Sequence, residues 1–240
     1  MKRSLKSFSH FSLGGTDGEI GKVKELYLDD ESWKIRYCVV DTGDWLPERK
    51  VLIAVQSLLD PDWQNDILKT SLTLDQIKSS PDIDTDKPVS RQQEIKLNEH
   101  FSWQNYWFLP LTDAVKATLP NANASGPDGQ AENPHLRSSE ALIGYQIQAS
   151  DGPVGHLIDF IIDSDHWSIT DLVIDMGTWL SSNKILLPVN NVNGINWSSR
   201  DINLALQMQE IKHARPYDPE SAVNELGDGT FLDFYGRLIS

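Results

Sequence analysis

Apolar and polar positions alternate along this chain in short runs. Val23, Leu26 and Leu28 lead to an Asp-Asp-Glu-Ser turn at 29–32, and Trp33–Val40 then carries Ile, Tyr, Val and Val. After Thr42-Gly43-Asp44 comes the apolar run Val51–Val55. Further on, Leu157–Ile162 precedes a turn at Asp163–His166, then Trp167–Ile174 and Ile185–Val189 follow. β-Branched and aromatic runs of this length, bounded by turn residues, predict strands. Their spacing predicts an antiparallel meander closing into a small barrel or sandwich. Asp17-Gly18 and Asp151-Gly152 read as hairpin turns, where Gly takes a positive φ. Gly21 and Gly155 fall inside the strand pattern and predict bulges.

These runs are two copies of one unit. An offset of 134 residues lays Asp17-Gly18-Glu19-Ile20-Gly21 over Asp151-Gly152-Pro153-Val154-Gly155, Asp29 over Asp163 and Trp33 over Trp167. It also lays Val39-Val40-Asp41-Thr42-Gly43-Asp44-Trp45-Leu46 over Val173-Ile174-Asp175-Met176-Gly177-Thr178-Trp179-Leu180, and Trp63 over Trp197. One offset held over such a span marks a tandem duplication. The expected organisation is a first repeat over residues 1–106, a linker over 107–134 and a second repeat over 135–240. Each repeat is large enough to bury its own core. The linker is expected to be flexible, since Leu119–Asn133 is rich in Pro, Asn, Ala, Ser and Gly.

Each repeat is expected to end in short helices. Thr73 with Gln76 forms a capping-box pair opening Leu74–Ser79, which Pro81 bars from continuing. The matching helix Met208–Ala214 has Gln207 in place of Thr73, a weaker cap. Ser90 with Gln93 opens a helix from about Arg91 to His100, and Asp218-Pro219 predicts another start, Pro being tolerated at the first helical position.

The carried pattern is Asp-Gly-x-x-Gly, then Asp, x-x-x-Trp, Val-Val-Asp-x-Gly-x-Trp-Leu and an apolar strand. It resembles the PRC-barrel family, the small β-barrel of the photosynthetic reaction-centre H subunit's cytoplasmic domain and of the C-terminus of a ribosome-maturation factor. Pro134-His135-Leu136-Arg137-Ser138 and Pro88-Val89-Ser90-Arg91-Gln92-Gln93 are similar to lead-in segments of bacterial tandem PRC-barrel proteins. The resemblance covers roughly residues 5–106 and 135–240. It implies a mostly β chain: two tandem small antiparallel β-barrels, each followed by short helices, packed as an intramolecular pseudo-dimer in which each unit covers apolar surface of the other. The first repeat lacks the Leu-Arg-Ser lead-in. The family marks fold more than function, because the module serves unrelated settings.

Composition narrows the function classes. With 39 % hydrophobic residues and eight Trp, the chain is globular. Its net charge is −14, which argues against nucleic acid or an anionic membrane as the main partner. No stretch is long and apolar enough to span a bilayer, and Ser4–Ser12 has no apolar signal-peptide core, so a cytoplasmic protein is expected. The single Cys38, within Tyr37-Cys38-Val39-Val40, reads as a small core residue.

The repeated carboxylates Asp17/Asp151, Asp29/Asp163 and Asp41/Asp175 admit two readings. They could form an acid–base pair or metal site. The preferred reading is that Asp-Gly and Asp-x-Gly shape turns, the side chain bonding the backbone ahead of it. The structural positions are thus Asp17, Gly18, Gly21, Trp33, Asp41, Gly43, Asp151, Gly152, Gly155, Trp167, Asp175 and Gly177. The six His show no common offset, no phosphate loop or nucleophile elbow occurs, and no catalytic residue, metal or cofactor is expected. Candidate interface residues are the aromatics Trp45, Trp179, Trp103, Tyr106, Trp107, Phe108, Phe234 and Tyr235. The expected function is a non-enzymatic protein-interaction or scaffold module with an unidentified protein partner, and homodimer formation is open. The alternatives are a soluble relative of the reaction-centre H subunit linked to photosynthetic electron transfer, a ribosome-assembly factor, and a metal- or ligand-dependent factor with its site between the barrels.

Overall fold

The computed structural model describes residues 1–46, 49–59, 61–63, 65–81, 89, 91–105, 136–177, 184–221, 223–225 and 230–239. The linker expected over 107–134 lies outside them. The first half contains β1 (Lys2–Ser4), β2 (Ser12–Gly14), β3 (Glu19–Asp29), β4 (Ile35–Asp41), β5 (Lys50–Ala54), β6 (Ile67–Lys69), α1 (Leu74–Lys78) and α2 (Arg91–Phe101). The second contains β7 (Leu136–Ser138), α3 (Ser139–Leu142), β8 (Gln146–Ala149), β9 (Gly152–Asp163), β10 (Ser168–Asp175), β11 (Lys184–Pro188), β12 (Val192–Asn196), β13 (Asp201–Leu204), α4 (Met208–Ile211) and β14 (Arg215–Pro216). Three two-residue strands follow: β15 (Asn224–Glu225), β16 (Phe231–Leu232) and β17 (Leu238–Ile239).

The two large sheets share one plan, β5-β4-β3-β2-β6 and β11-β10-β9-β8-β13, with β12 and β14 added at the ends of the second. The meander is antiparallel as expected through its first four strands, but β6 and β13 return to the far edge and run parallel to β2 and β8. Among the described residues neither sheet closes into a barrel; β5 and β6 stand at opposite ends of the path. The bulges recur at the offset: Lys24 and Arg36 are passed over in the β3–β4 register, Ile158 and Thr170 in the β9–β10 register. The bulges expected at Gly21 and Gly155 lie beside them, Ile20 being passed over in the β2–β3 register and Val154 in the β8–β9 register, and the two glycines also meet a second demand. A Cβ there would fall 2.0 Å from the Asp41 carbonyl and 2.1 Å from that of Asp175, so the neighbouring strand passes too close for any side chain.

The halves exchange strands. β1 pairs with β9 of the second half, Arg3 opposite Ile162, and β7 pairs with β3 of the first, Arg137 opposite Leu28. The two registers are identical at the 134 offset. Lys2-Arg3-Ser4 thus takes in the first half the place of Leu136-Arg137-Ser138 in the second. Between the exchanged strands, Lys34 bridges Ser168, mates in the duplication. One contiguous apolar core runs through both halves, from Phe8, Phe11 and Leu26 to Phe160, Leu172 and Ile202. About 25 cal/mol per Å² of apolar surface removed from water makes that shared core the main force holding the halves together.

The halves diverge in what covers the outer sheet face. In the first, α2 lays Leu97 over Tyr27, Val39 and Leu52. In the second, the mates Ile161, Val173 and Leu186 are covered by Phe234 instead. The helix expected at Asp218-Pro219 is a turn. Asp218 Oδ1 accepts from the Glu220 N–H at 3.0 Å, and the Val223 N–H bonds the Leu232 carbonyl, which draws the chain into strand pairing. The helix read over Met208–Ala214 stops at Ile211, while α2 matches its expected span closely. Ser90, its proposed cap, lies outside the described residues.

Candidate functional site

The repeated carboxylates bond backbone N–H groups. Asp17 Oδ1 accepts from Leu74 N–H at 2.9 Å and Asp151 Oδ1 from Met208 N–H at 2.8 Å, each tying its hairpin turn to the first residue of α1 or α4. Asp41 and Asp175 accept from Gly43 and Gly177 at 3.0 and 2.9 Å. Both glycines have positive φ, +61° and +69°, as such turns need. Asp29 accepts from Ser32 N–H at 2.8 Å. Burial alone would raise its carboxyl, but the Ser32 bonds and the Arg36 guanidinium outweigh it and hold the group below the usual range. Asp163 is likewise held low against its burial by His166, the Asp165 N–H and the chain's amino terminus. Among the described residues no group of three or more His, Cys, Asp or Glu is placed to hold a metal ion.

The candidate aromatics scatter. Trp45, 37 % exposed, donates its indole N–H to the Ile20 carbonyl at 2.7 Å. Trp103 stacks on Phe101 with centroids 4.4 Å apart and faces inward toward Tyr37. Phe234 is buried under the second sheet, so it fills the place that α2 fills in the first half. Tyr235 follows it and accepts at its carbonyl from Arg3. Trp179, Tyr106, Trp107 and Phe108 lie outside the described residues. Trp33 and Trp167 precede their strands rather than start them, in the left-handed region, with φ +57° and +47°.

Exposed apolar surface gathers at the chain's last strands. Phe231 pairs across to Ile239 and Leu232 to Leu238. Opposite residues share a face, so Phe231 and Ile239 form one pair, 41 % and 36 % exposed, on the face away from Leu232. β17 is the last strand of its three-stranded sheet.

Sequence reasoning missed a pair of carboxylates at the seam, Asp159 buried and Glu25 half-buried. Glu25 and Asp159 are mates in the duplication, each on a bulged long strand inside a mostly apolar stretch, and that shared acidic position is the signal that could have found them. Each accepts from the hydroxyl of the exchanged strand's serine, Ser138 to Glu25 and Ser4 to Asp159. Burial pushes both carboxyls up, and these hydrogen bonds only partly offset it. They line a pocket of about 380 Å³ at the seam between the halves, with Phe8, Leu26 and Ile143. A larger cavity, about 800 Å³, opens between Trp63 and the turn at Tyr235-Gly236. Among the described residues no helix is long and apolar enough to cross a membrane. Compared with known protein families and with curated proteins, the chain matches none.

Proposed function

We propose that the chain is a tandem PRC-barrel-type interaction module that binds another protein and performs no reaction of its own. The two-barrel, pseudo-dimeric organisation implied by the motifs is part of this reading. It is supported by the shared strand plan of the halves and by strands exchanged at one register. The observation that carries the function is the exposed Phe231/Ile239 pair on a short sheet whose last strand is β17. Aromatic and aliphatic side chains on such a face anchor protein partners, and a free strand edge can take up an added strand. The charge of −14 excludes polyanionic partners in favour of neutral or basic ones.

Affinity capture from the source cell tests this, with the intact chain against Phe231→Asp and Ile239→Asp. Both positions are exposed, so stability should stay within about 0.5 kcal/mol. A protein retained by the intact chain and lost from both variants supports the proposal. Identical retention by all three removes the face from the account.

A further inference from the structure

Arg3 and Arg137 are mates in the duplication, and their surroundings share one plan but differ in one carboxylate. Each lies over the Trp of its own half, Arg3 over Trp63 and Arg137 over Trp197, with Cζ 4.1 Å from the ring centroid in both. Each sits in an exchanged strand, at the same register. Arg137 Nε donates to Asp30 Oδ2 at 3.3 Å, an ion pair between the halves. The mate of Asp30 is Ser164, whose hydroxyl donates to the Met1 carbonyl at 3.1 Å. Arg3 is therefore left without the carboxylate. Its Nε is buried with no hydrogen-bond partner among the described residues. Nη1 donates to the Tyr235 carbonyl at 3.1 Å, and Nη2 reaches only the Met1 sulfur, at 4.0 Å. Asp66 and Asp233 act on it only through space, and Asp233 is engaged by Arg237 at 2.7 Å.

A buried guanidinium lacking its counter-charge is costly, and a ring face and one carbonyl offset only part of the cost. Arg3 is 1 % exposed and lines the 800 Å³ cavity, whose other walls are largely apolar or aromatic: Trp63, Tyr235, Leu232 and Leu238. Gly236, with φ +80°, packs against the guanidinium; a Cβ there would fall 1.5 Å from Nη1, so a side chain at this position would displace the guanidinium. Asp62, Asp66 and Arg237 also line the cavity; Arg237 is held by Asp233, and the two carboxylates disfavour a dianion. A planar monocarboxylate matches the guanidinium fork, and the apolar walls suit a hydrocarbon or aromatic body.

We propose that this cavity binds a small monocarboxylate with an apolar body, the carboxylate supplying Arg3 with the counter-charge that Asp30 gives Arg137. The proposal is independent of the protein-binding face, since Phe231 and Ile239 point away from the cavity side of that sheet.

Titration of the full chain with 4-phenylbutyrate tests it, followed by calorimetry and by the amide resonance of Gly236 and the indole N–H of Trp63. The neutral 4-phenylbutyramide and inorganic phosphate are the comparison probes. Saturable binding of the carboxylate, about tenfold or more tighter than the amide, is expected. Ser164→Asp gives Arg3 the internal partner that Arg137 already has, and should weaken binding about tenfold while the chain stays folded by circular dichroism. The carboxylate-against-amide comparison needs no variant, so the test stands even if Ser164→Asp fails to fold. Absence of saturable binding, equal binding of the amide, or unchanged binding by a folded Ser164→Asp chain overturns the proposal. Tighter binding of phosphate overturns it too and assigns Arg3 to a different anion.

Discussion

The backbone N–H of Ile35 donates to the Trp167 carbonyl at 2.8 Å. The reciprocal bond runs from Ile169 N–H to the Trp33 carbonyl, also at 2.8 Å. This pair of bonds sits at the centre of the seam, beside the Lys34–Ser168 bridge. It requires both tryptophans to hold φ in the left-handed region, which costs a bulky side chain about 1–2 kcal/mol each. Repetition of the strain in both halves shows that the surrounding structure over-determines it.

The rings offset that cost by packing across the seam. Trp167 lies 5.7 Å from Phe8 and Trp33 lies 6.4 Å from Phe160, each touching the other half. Trp167→Ala should cost about 3 kcal/mol in urea unfolding, and Trp33→Ala a similar amount. Losses below about 1 kcal/mol would mean that the rings do not join the halves.

Close approach and backbone conformation can be separated at the glycines. Gly21→Ala and Gly155→Ala each force a Cβ into a neighbouring carbonyl and should cost more than about 3 kcal/mol. Gly43→Ala meets nothing within 4 Å and has only the left-handed penalty, about 1–2 kcal/mol. Equal costs at positions 21 and 43, measured by chemical denaturation, would contradict the close-approach account.

Two sets of carboxyls give the stability a pH dependence of opposite sign. Asp159 and Glu25 are pushed up by burial, so the folded chain keeps their protons to higher pH than the unfolded chain does. Their contribution is full below the ordinary carboxylate value, about 4, and is lost as pH rises through the raised ones. Asp29 and Asp163 are held low, so their contribution is present above about 4 and is lost as pH falls through the lowered values. The combined variant Asp159→Asn with Glu25→Gln should therefore raise the melting temperature at about pH 7 and change it little at about pH 4. A fall at neutral pH, or an equal shift at both, would show that these groups carry no buried charge.

Much of the strand plan was legible in the sequence because the signals behind it are local. Asp17-Gly18 turns, the Val39-Val40 run and the Thr73/Gln76 capping box each act within a few residues of themselves. The strand exchange was not legible. Lys2-Arg3-Ser4 could pair with Tyr27–Asp29 or with its mate at Ile161–Asp163, and local pattern does not distinguish two edges built from one ancestral strand. The tail of the second half was misread for a related reason. Asp218-Pro219 is locally a good helix start, but the apolar face of Ile161, Val173 and Leu186 is met by Phe234 on a turn between short strands. Of the candidate site, sequence named the aromatic positions; which of them face solvent depended on packing between segments far apart in the chain.

Cys38 reports on the first sheet directly. It is wholly buried, and burial pushes its thiol up to about 12. A thiol reagent at neutral pH should leave the native chain unmodified and react in step with global unfolding. Rapid modification under native conditions would show that the β3–β4 region opens independently of the rest.

Strand exchange between the duplicated halves is the relationship on which the rest depends, and backbone nuclear Overhauser contacts read it without any substitution. The account predicts cross-strand contacts from Arg3 to Ile162 and from Arg137 to Leu28. Contacts from Arg3 to Leu28 and from Arg137 to Ile162 would contradict it, because each half would then be pairing with its own lead-in.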